Sequence, residues 1–104
     1  MIEYQVTTDN EDCALAWVTI EPALAGGFAV WFAPYGGSRS ASGYEFYGLV
    51  DGLPYWRPSE ETAREAANIA CLEWVTRAEA DGHNGCRIVE TDGELVLAEI
   101  PILA

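Results

Sequence analysis

The sequence predicts an α+β fold, an antiparallel β-sheet with one long helix packed on one face. The first half of the chain alternates short apolar segments with turn residues, residues 59–81 follow a helical period, and two further apolar segments flank an Asp-Gly turn. The predicted order is ββββαββ, and strands grouped around a single helix are typical of α+β domains. With 104 residues and no internal repeat or linker, we expect one domain spanning residues 1–104.

Four strands are predicted before the helix. Apolar and polar residues alternate over Ile2–Thr7, the period-2 pattern of a half-buried strand. The segments Ala14–Pro22 and Gly27–Pro34 are rich in β-branched and aromatic residues and end at proline. Tyr35–Gly43 is small and polar and is expected to be a loop that joins the third strand to a fourth, Tyr44–Val50, as a hairpin.

The helix is predicted for residues 59–81. Ser59 is a favourable N-cap, because its hydroxyl can accept a hydrogen bond from a free amide of the first turn. Thr62 stands where a capping box normally has Glu, so the box is expected to be incomplete. Gly82 favours the left-handed conformation that ends helices.

The segments on either side of the helix are predicted to be extended. Leu53–Pro58 reads as an extended connection that carries two aromatic residues. After the helix, the strands Cys86–Glu90 and Glu94–Ile100 flank Thr91-Asp92-Gly93, and Asp-Gly between apolar segments strongly favours a hairpin.

One face of the predicted helix is an alanine-rich stripe that would pack on the sheet. Cys71 lies inside this stripe and is interpreted as a small buried hydrophobic residue rather than a reactive thiol. Ile69 and Leu72 fall on the opposite side, where they form a stray exposed pair, lie under a loop such as Gly36–Gly43, or belong to an interface. The stripe comprises Ala63, Ala66, Ala67, Ala70, Cys71, Trp74 and Ala78, with Val75 at its edge.

The predicted strands carry large apolar residues on both faces, although one helix covers only one face. Trp17, Trp31 and Tyr47 alternate with other apolar residues of the same strands. Exposed Trp and Tyr beside acidic residues have the composition of a protein-binding surface. This face has three further interpretations: a curled sheet that buries both of its faces, the interface of a homodimer, and a ligand pocket.

The charge balance excludes some partners. The chain has 17 acidic residues against 5 basic ones, a formal net charge of −12, and all five basic residues are arginine. An acidic surface repels nucleic acid, whose binding depends on Lys and Arg replacing counterions. It attracts basic proteins, including those that hold nucleic acid, and raises the rate of association.

Motifs for catalysis, metal binding and membrane insertion are not recognised. His83 and Cys86 form a short H-x-x-C, which falls short of four paired zinc ligands, and both are expected to point to water. Gly36–Ser40 lacks the frame of a phosphate loop or a nucleophile elbow. We therefore predict no catalytic residue, no metal and no cofactor. Without a visible signal peptide or apolar span, the protein is expected to be soluble and cytoplasmic with reduced thiols.

The stretch GYEFYGLVDGLPYWRPSEETAREAANIACLEW, Gly43–Trp74, resembles small proteins of phages and mobile elements in which an aromatic-Gly strand leads through a turn into an alanine-rich helix. Some type I anti-CRISPR proteins are similar in pattern. The resemblance implies a non-catalytic inhibitor that binds a basic, nucleic-acid-holding surface of a host defence complex, with acidic groups where phosphates would lie. It transfers no functional residue.

These observations lead to the hypothesis of an acidic binding protein that blocks a nucleic-acid-handling partner in the host cell. The alternatives are a homo-oligomeric accessory or regulatory protein, in which a homodimer uses the same apolar patches, and a small-ligand-binding or enzymatic domain. The candidate partner-binding residues are Glu60, Glu61, Glu65, Ile69 and Leu72 on the exposed side of the helix, followed by Asp9, Glu11 and Asp12.

Overall fold

A computed structural model describes residues 2–10, 13–33, 35, 39–40, 43–44, 55–93 and 95–102. Within these ranges the predicted fold class is confirmed: a six-stranded antiparallel sheet carries a single helix on one face. The elements are β1 (Ile2–Thr7), β2 (Ala16–Pro22), β3 (Phe28–Ala33), β4 (Arg39–Ser40), β5 (Gly43–Tyr44), β6 (Tyr55–Arg57), α1 (Glu60–Ala80), β7 (Arg87–Asp92) and β8 (Leu95–Ile100).

The large sheet has the strand order β6-β3-β2-β1-β7-β8. The N-terminal strand β1 lies inside it and pairs with β2 on one side and with β7 on the other. The chain segment after the helix therefore returns to the far side of β1, and β8 forms one outer edge of the sheet. The β7–β8 hairpin was predicted from Asp92-Gly93, and Gly93 has the positive φ of 63° that this turn requires.

Two predictions about the strands before the helix need correction. The predicted connection Leu53–Pro58 contains a strand, because β6 pairs with Phe28–Val30 of β3 and forms the second outer edge. Inside the predicted loop Tyr35–Gly43, β4 begins a separate two-stranded ladder with β5. The rest of the predicted fourth strand, residues 45–50, lies outside the described ranges.

The helix begins with a complete capping box, so the expectation of an incomplete box is wrong. The Ser59 hydroxyl accepts from the Thr62 amide at 3.2 Å, and the Thr62 hydroxyl accepts from the Ser59 amide at 3.2 Å. Threonine thus takes the role that Glu or Gln usually has at this position. At the other end the Asp81 amide donates to Arg77 O and Ala78 O, and Gly82 adopts the predicted positive φ.

The core lies between α1 and the central strands. The predicted alanine-rich stripe is confirmed, except that Ala66 and Ala70 are only half buried. Trp74 supplies most of the bulk and meets Phe32 edge to face, with ring centroids 6.2 Å apart. The buried residues of the helix are Ala63, Ala67, Cys71, Trp74, Val75 and Ala78, and they pack against Tyr4, Val6, Ala16, Val18, Ile20, Val30, Phe32 and Ile88.

The helix covers the sheet unevenly. It packs mainly on β1, β2 and β3, with weaker packing on β6 and β7. Five of the six residues of β8 are exposed, and Ile100 is half buried. One side of the helix therefore overlooks an uncovered part of the sheet.

Candidate functional site: an acidic groove beside the helix

An open groove of about 500 Å³ lies where the first half of α1 overlooks the uncovered part of the sheet. The helix forms its wall, and β1 and β8 contribute one residue each. The lining residues are Tyr4, Glu60, Glu61, Arg64, Glu65, Asn68 and Ile100. We call this feature the acidic groove.

Helix geometry places the wall residues together. Glu61, Arg64, Glu65 and Asn68 follow the spacing i, i+3, i+4, i+7, which brings their side chains to one flank of a helix. This flank faces β7 and β8. Tyr4 and Glu90, which contact Arg64, are nearly buried, but Ile100 is only half buried and the five other residues of β8 are exposed. The carboxylates consequently project over an open space rather than over the core.

Arg64 is held at the base of the groove by groups from three elements. Its Nη1 donates to the Glu90 carboxylate of β7 and lies 3.4 Å from the Tyr4 hydroxyl of β1, while its Nη2 lies 3.5 Å from Glu60. Glu90 is only 7 % exposed, so this pair neutralises a nearly buried charge. The Arg64 guanidinium is therefore already engaged inside the protein.

The pKa shifts in the groove follow from these contacts. Burial raises the pKa of Tyr4 above its usual value, and the Glu90 carboxylate adds to this, although the hydrogen bond with Arg64 lowers it. Desolvation lowers the pKa of Arg64, but the hydrogen bond to Tyr4 and the charges of Glu90 and Glu60 outweigh it and raise the pKa overall. Both groups are shifted away from neutral pH.

The mouth of the groove keeps an excess of negative charge. Glu61 and Glu65 are exposed, and neither forms an ion pair with any residue that the structure describes. Arg64 is the one cation among the lining residues and is engaged by Glu90 and Glu60. Because Glu60 and Glu61 lie in the first turn, the positive end of the helix dipole stabilises their charge.

Asn68 adds a free hydrogen-bond acceptor to the wall. Its Oδ1 atom is buried and has no hydrogen-bond partner among the described residues. Buried polar atoms are normally paired, and this acceptor is an exception among the groove residues. The wall thus offers the two exposed carboxylates of Glu61 and Glu65 to a ligand that carries N–H groups.

The structure places part of the predicted partner-binding set at the groove. Glu60, Glu61 and Glu65 line it, and Ile69 follows on the exposed surface with 69 % of its area accessible. Leu72 is half buried and packs against the core, so the expectation that it lies on the exposed side is wrong. It continues the same flank one turn beyond Asn68, past the residues that line the groove.

The second predicted acidic set does not join the first. Asp9 lies beside the C-terminal end of α1, where its amide donates to Asn84 O at 2.9 Å and its carboxylate accepts from Arg87 at 2.9 Å. A helix of 21 residues is about 30 Å long, which separates Asp9 from the groove by most of the molecule. Glu11 and Asp12 lie outside the described residues.

His83 and Cys86 do not both point to water, contrary to expectation. His83 is half buried, with an unpaired buried Nδ1 atom, and its ring meets Tyr35 edge to face at 6.2 Å. Cys86 packs partly against the core, and burial together with the charges of Glu79 and Asp9 raises the pKa of its thiol. Across the described ranges, no three His, Cys, Asp or Glu side chains are grouped to hold a metal ion.

The aromatic residues on the other face of the sheet are half buried. Trp17 and Trp31 lie on the face opposite the helix, and the Trp31 indole donates to Glu21 at 2.8 Å. Thr19, which is paired with Trp31, is only 2 % exposed. Tyr47, the third residue of the predicted aromatic face, lies outside the described residues.

Sequence reasoning missed five residues of this site: the lining residues Tyr4, Arg64, Asn68 and Ile100, and Glu90, which holds Arg64. The spacing of Glu60 and Arg64 by four residues was a readable signal for their ion pair. The contact of Arg64 with Glu90 had no such signal, because it depends on β7 pairing beside β1.

Comparison with models of protein families, with curated proteins and with solved structures gives no match. In the part of the chain that the structure describes, no helix combines the length and hydropathy needed to cross a membrane. The candidate function therefore depends on the groove and on the charge of the chain.

Proposed function

We propose that the protein is a non-catalytic acidic inhibitor that binds a basic protein surface of a nucleic-acid-handling host complex, in the manner of a phage anti-defence or anti-CRISPR protein. Its place of action is the host cytoplasm. The observation that carries the proposal is the pair of exposed carboxylates, Glu61 and Glu65, which line an open groove without a cation partner among the described residues.

Electrostatics supports a basic partner. A surface that binds nucleic acid carries Lys and Arg side chains arranged for phosphates, and carboxylates at a similar spacing compete for the same cations. The net charge of −12 would accelerate the encounter, and the groove would fix the bound geometry. Ile69, exposed one residue beyond the groove wall, adds an apolar contact that is not screened by salt.

The groove chemistry supports binding rather than catalysis. A general acid or base works best with a pKa near the operating pH. In the groove, the Tyr4 and Arg64 pKa values are raised from values already above neutrality. The Glu90 carboxylate next to the groove is nearly buried and already bound by Arg64, so it is not presented to a ligand in the groove.

The test compares two double variants with the same change in charge. Glu61→Arg/Glu65→Arg reverses the groove carboxylates, whereas Glu73→Arg/Glu79→Arg reverses two exposed acids on the later turns of the same helix. Each protein is used to capture partners from a nuclease-treated host lysate, and a gel-shift assay then measures nucleic-acid binding by the captured complex. The groove variant is expected to lose about tenfold or more in affinity, and the control much less.

Three results would count against the proposal. Equal losses in both variants would show that bulk charge rather than the groove determines binding. Capture that persists unchanged in the groove variant at every salt concentration would remove the electrostatic basis. Capture without any loss of nucleic-acid binding by the partner would contradict the inhibitory role.

A further inference from the structure

The outer edge of β8 has the features of an unprotected pairing surface. Leu95, Val96 and Leu97 follow one another along this edge and are 65 %, 63 % and 45 % exposed. Ile102, just beyond the strand, is 39 % exposed. An edge strand presents a row of unpaired amides and carbonyls, and exposed apolar residues along it favour pairing with another strand.

The usual protections of an edge are weak here. Proteins blunt edges with lysine, proline, covering segments or bulges. The chain contains no lysine, Pro101 comes only after the strand, and the helix packs mainly over β1, β2 and β3 rather than over β8. A bulge does occur, since Glu90 pairs with Ala98 and Thr91 with Val96, which leaves Leu97 without a partner on β7. It divides the edge into two short segments, and pairing therefore depends also on side-chain contacts.

We propose that β8 pairs antiparallel with β8 of a second copy of this chain, forming a two-fold symmetric dimer. The two six-stranded sheets would then form one continuous sheet. This inference is independent of the proposed function, because the edge residues do not include the groove carboxylates.

The strand is complementary to itself in this arrangement. A two-fold axis at Leu97 sets Leu97 against its own copy, Val96 against Ala98, and Leu95 against Glu99. Glu99 is the only charged residue of β8 and meets an apolar residue rather than another carboxylate. The three apolar side chains Leu95, Val96 and Leu97 of each copy would lie along the same seam.

The high net charge does not prevent this dimer. Strands lie about 4.8 Å apart, and the helix packs over β1 to β3, which are two to four strands inward from β8. Across the two-fold axis, elements over β1, β2 and β3 would lie about 24, 34 and 43 Å from their copies, so the helix axes would be about 34 Å apart. This exceeds the Debye length of about 8–10 Å, so salt screens most of the repulsion between the two acidic helices.

Sedimentation equilibrium of the purified chain over micromolar to millimolar concentration tests the dimer. The wild type is expected to associate reversibly, and more strongly at high salt, because screening weakens repulsion between acidic copies. Val96→Lys places a cation on the edge and should weaken association about tenfold or more, with circular dichroism showing an unchanged fold. Leu24→Lys is the matched control, because Leu24 is fully exposed in the turn between β2 and β3.

Cross-linking identifies the seam directly. In a Cys13→Ser background, which removes the exposed thiol, Leu97→Cys should form a disulfide-linked dimer when oxidised with diamide. Leu24→Cys in the same background should not. A wild type that stays monomeric at millimolar concentration overturns the proposal and leaves the edge to a strand of a different protein. A dimer that survives Val96→Lys, or fails to cross-link through residue 97, overturns the assigned seam.

Discussion

The helix covers one half of the sheet and leaves the other half open. It lies over β1, β2 and β3, whereas β8 on the same sheet is mostly exposed. Ile20 of β2 and Ile100 of β8 both lie on the helix side, yet Ile20 is 2 % exposed while Ile100 is half buried. A helix is about 10 Å across with its side chains, and strands are about 4.8 Å apart, so one helix covers two or three strands. In a sheet of six strands the remainder stays open, and the groove and the β8 edge both lie in this remainder.

The largest effect on unfolding free energy is expected when isoleucine is replaced by alanine once in each half of the sheet. Ile20→Ala removes buried methyl groups from the centre of the core and is expected to cost about 2–5 kcal/mol of unfolding free energy. Ile100→Ala removes the same atoms where solvent already reaches them, and should cost about 1 kcal/mol or less. Urea denaturation measures both, and equal costs would show that the open half is packed as tightly as the covered half.

The second largest effect on unfolding free energy is expected at the Arg64–Glu90 ion pair, which lies at the border between the two halves. Arg64→Met leaves the nearly buried Glu90 carboxylate without its cation and is expected to cost about 1–3 kcal/mol, below the value for a fully buried pair because Arg64 is partly exposed. Adding Glu90→Leu removes the unpaired charge and should recover most of the loss. Urea denaturation of the two variants decides this, and a double variant no more stable than Arg64→Met would show that the pair contributes more than charge balance.

The covered half was largely predictable from sequence, for a physical reason. The alternation in β1 and the alanine stripe of α1 are local periods that burial imposes on neighbouring residues, so they appear without knowledge of the partner element. β6 was missed because three residues between Pro54 and Pro58 are too few to display a period. The uneven cover of the sheet could not be predicted, since it depends on β7 and β8 adding to the far side of β1.

The candidate site was predicted in part for the same reason. Glu60, Glu61 and Glu65 were identified because the helical period separates an exposed side from a buried one. Asp9 was grouped with them on charge alone, and only the fold shows that it binds Arg87 at the other end of the helix. The position of Leu72 was predicted from its angle around the helix axis. That angle does not show how far the sheet and neighbouring side chains extend around the helix, and Leu72 packs against the core.

Cys71, on the covered side of the sheet, should make the unfolding free energy fall with rising pH in the alkaline range. Burial raises the pKa of its thiol to about 12, whereas an unfolded thiol titrates near 8.5. The folded state then holds its proton longer, so stability is unaffected below pH 8 and falls as pH rises toward 12, by about 1–2 kcal/mol at pH 10. Cys71→Ala should lose this part of the decline. Urea denaturation at pH 7 and pH 10 compares the two proteins, and identical declines would contradict a buried, protonated thiol.

The smallest effect concerns the groove carboxylates and separates folding from binding. Glu61 and Glu65 are like charges at spacing i, i+4, so Glu65→Gln should stabilise the protein by about 0.2–0.5 kcal/mol at low salt. Glu73 pairs with Arg77 at 2.8 Å at the same spacing, so Glu73→Gln should destabilise it by a similar amount. Thermal unfolding at low and high salt measures both, and the two shifts should shrink together as salt is added. Stability changes of opposite sign in the two variants would show that the groove carboxylates cost stability, as expected of groups retained for binding. A destabilised Glu65→Gln variant would instead reveal an internal partner for this carboxylate.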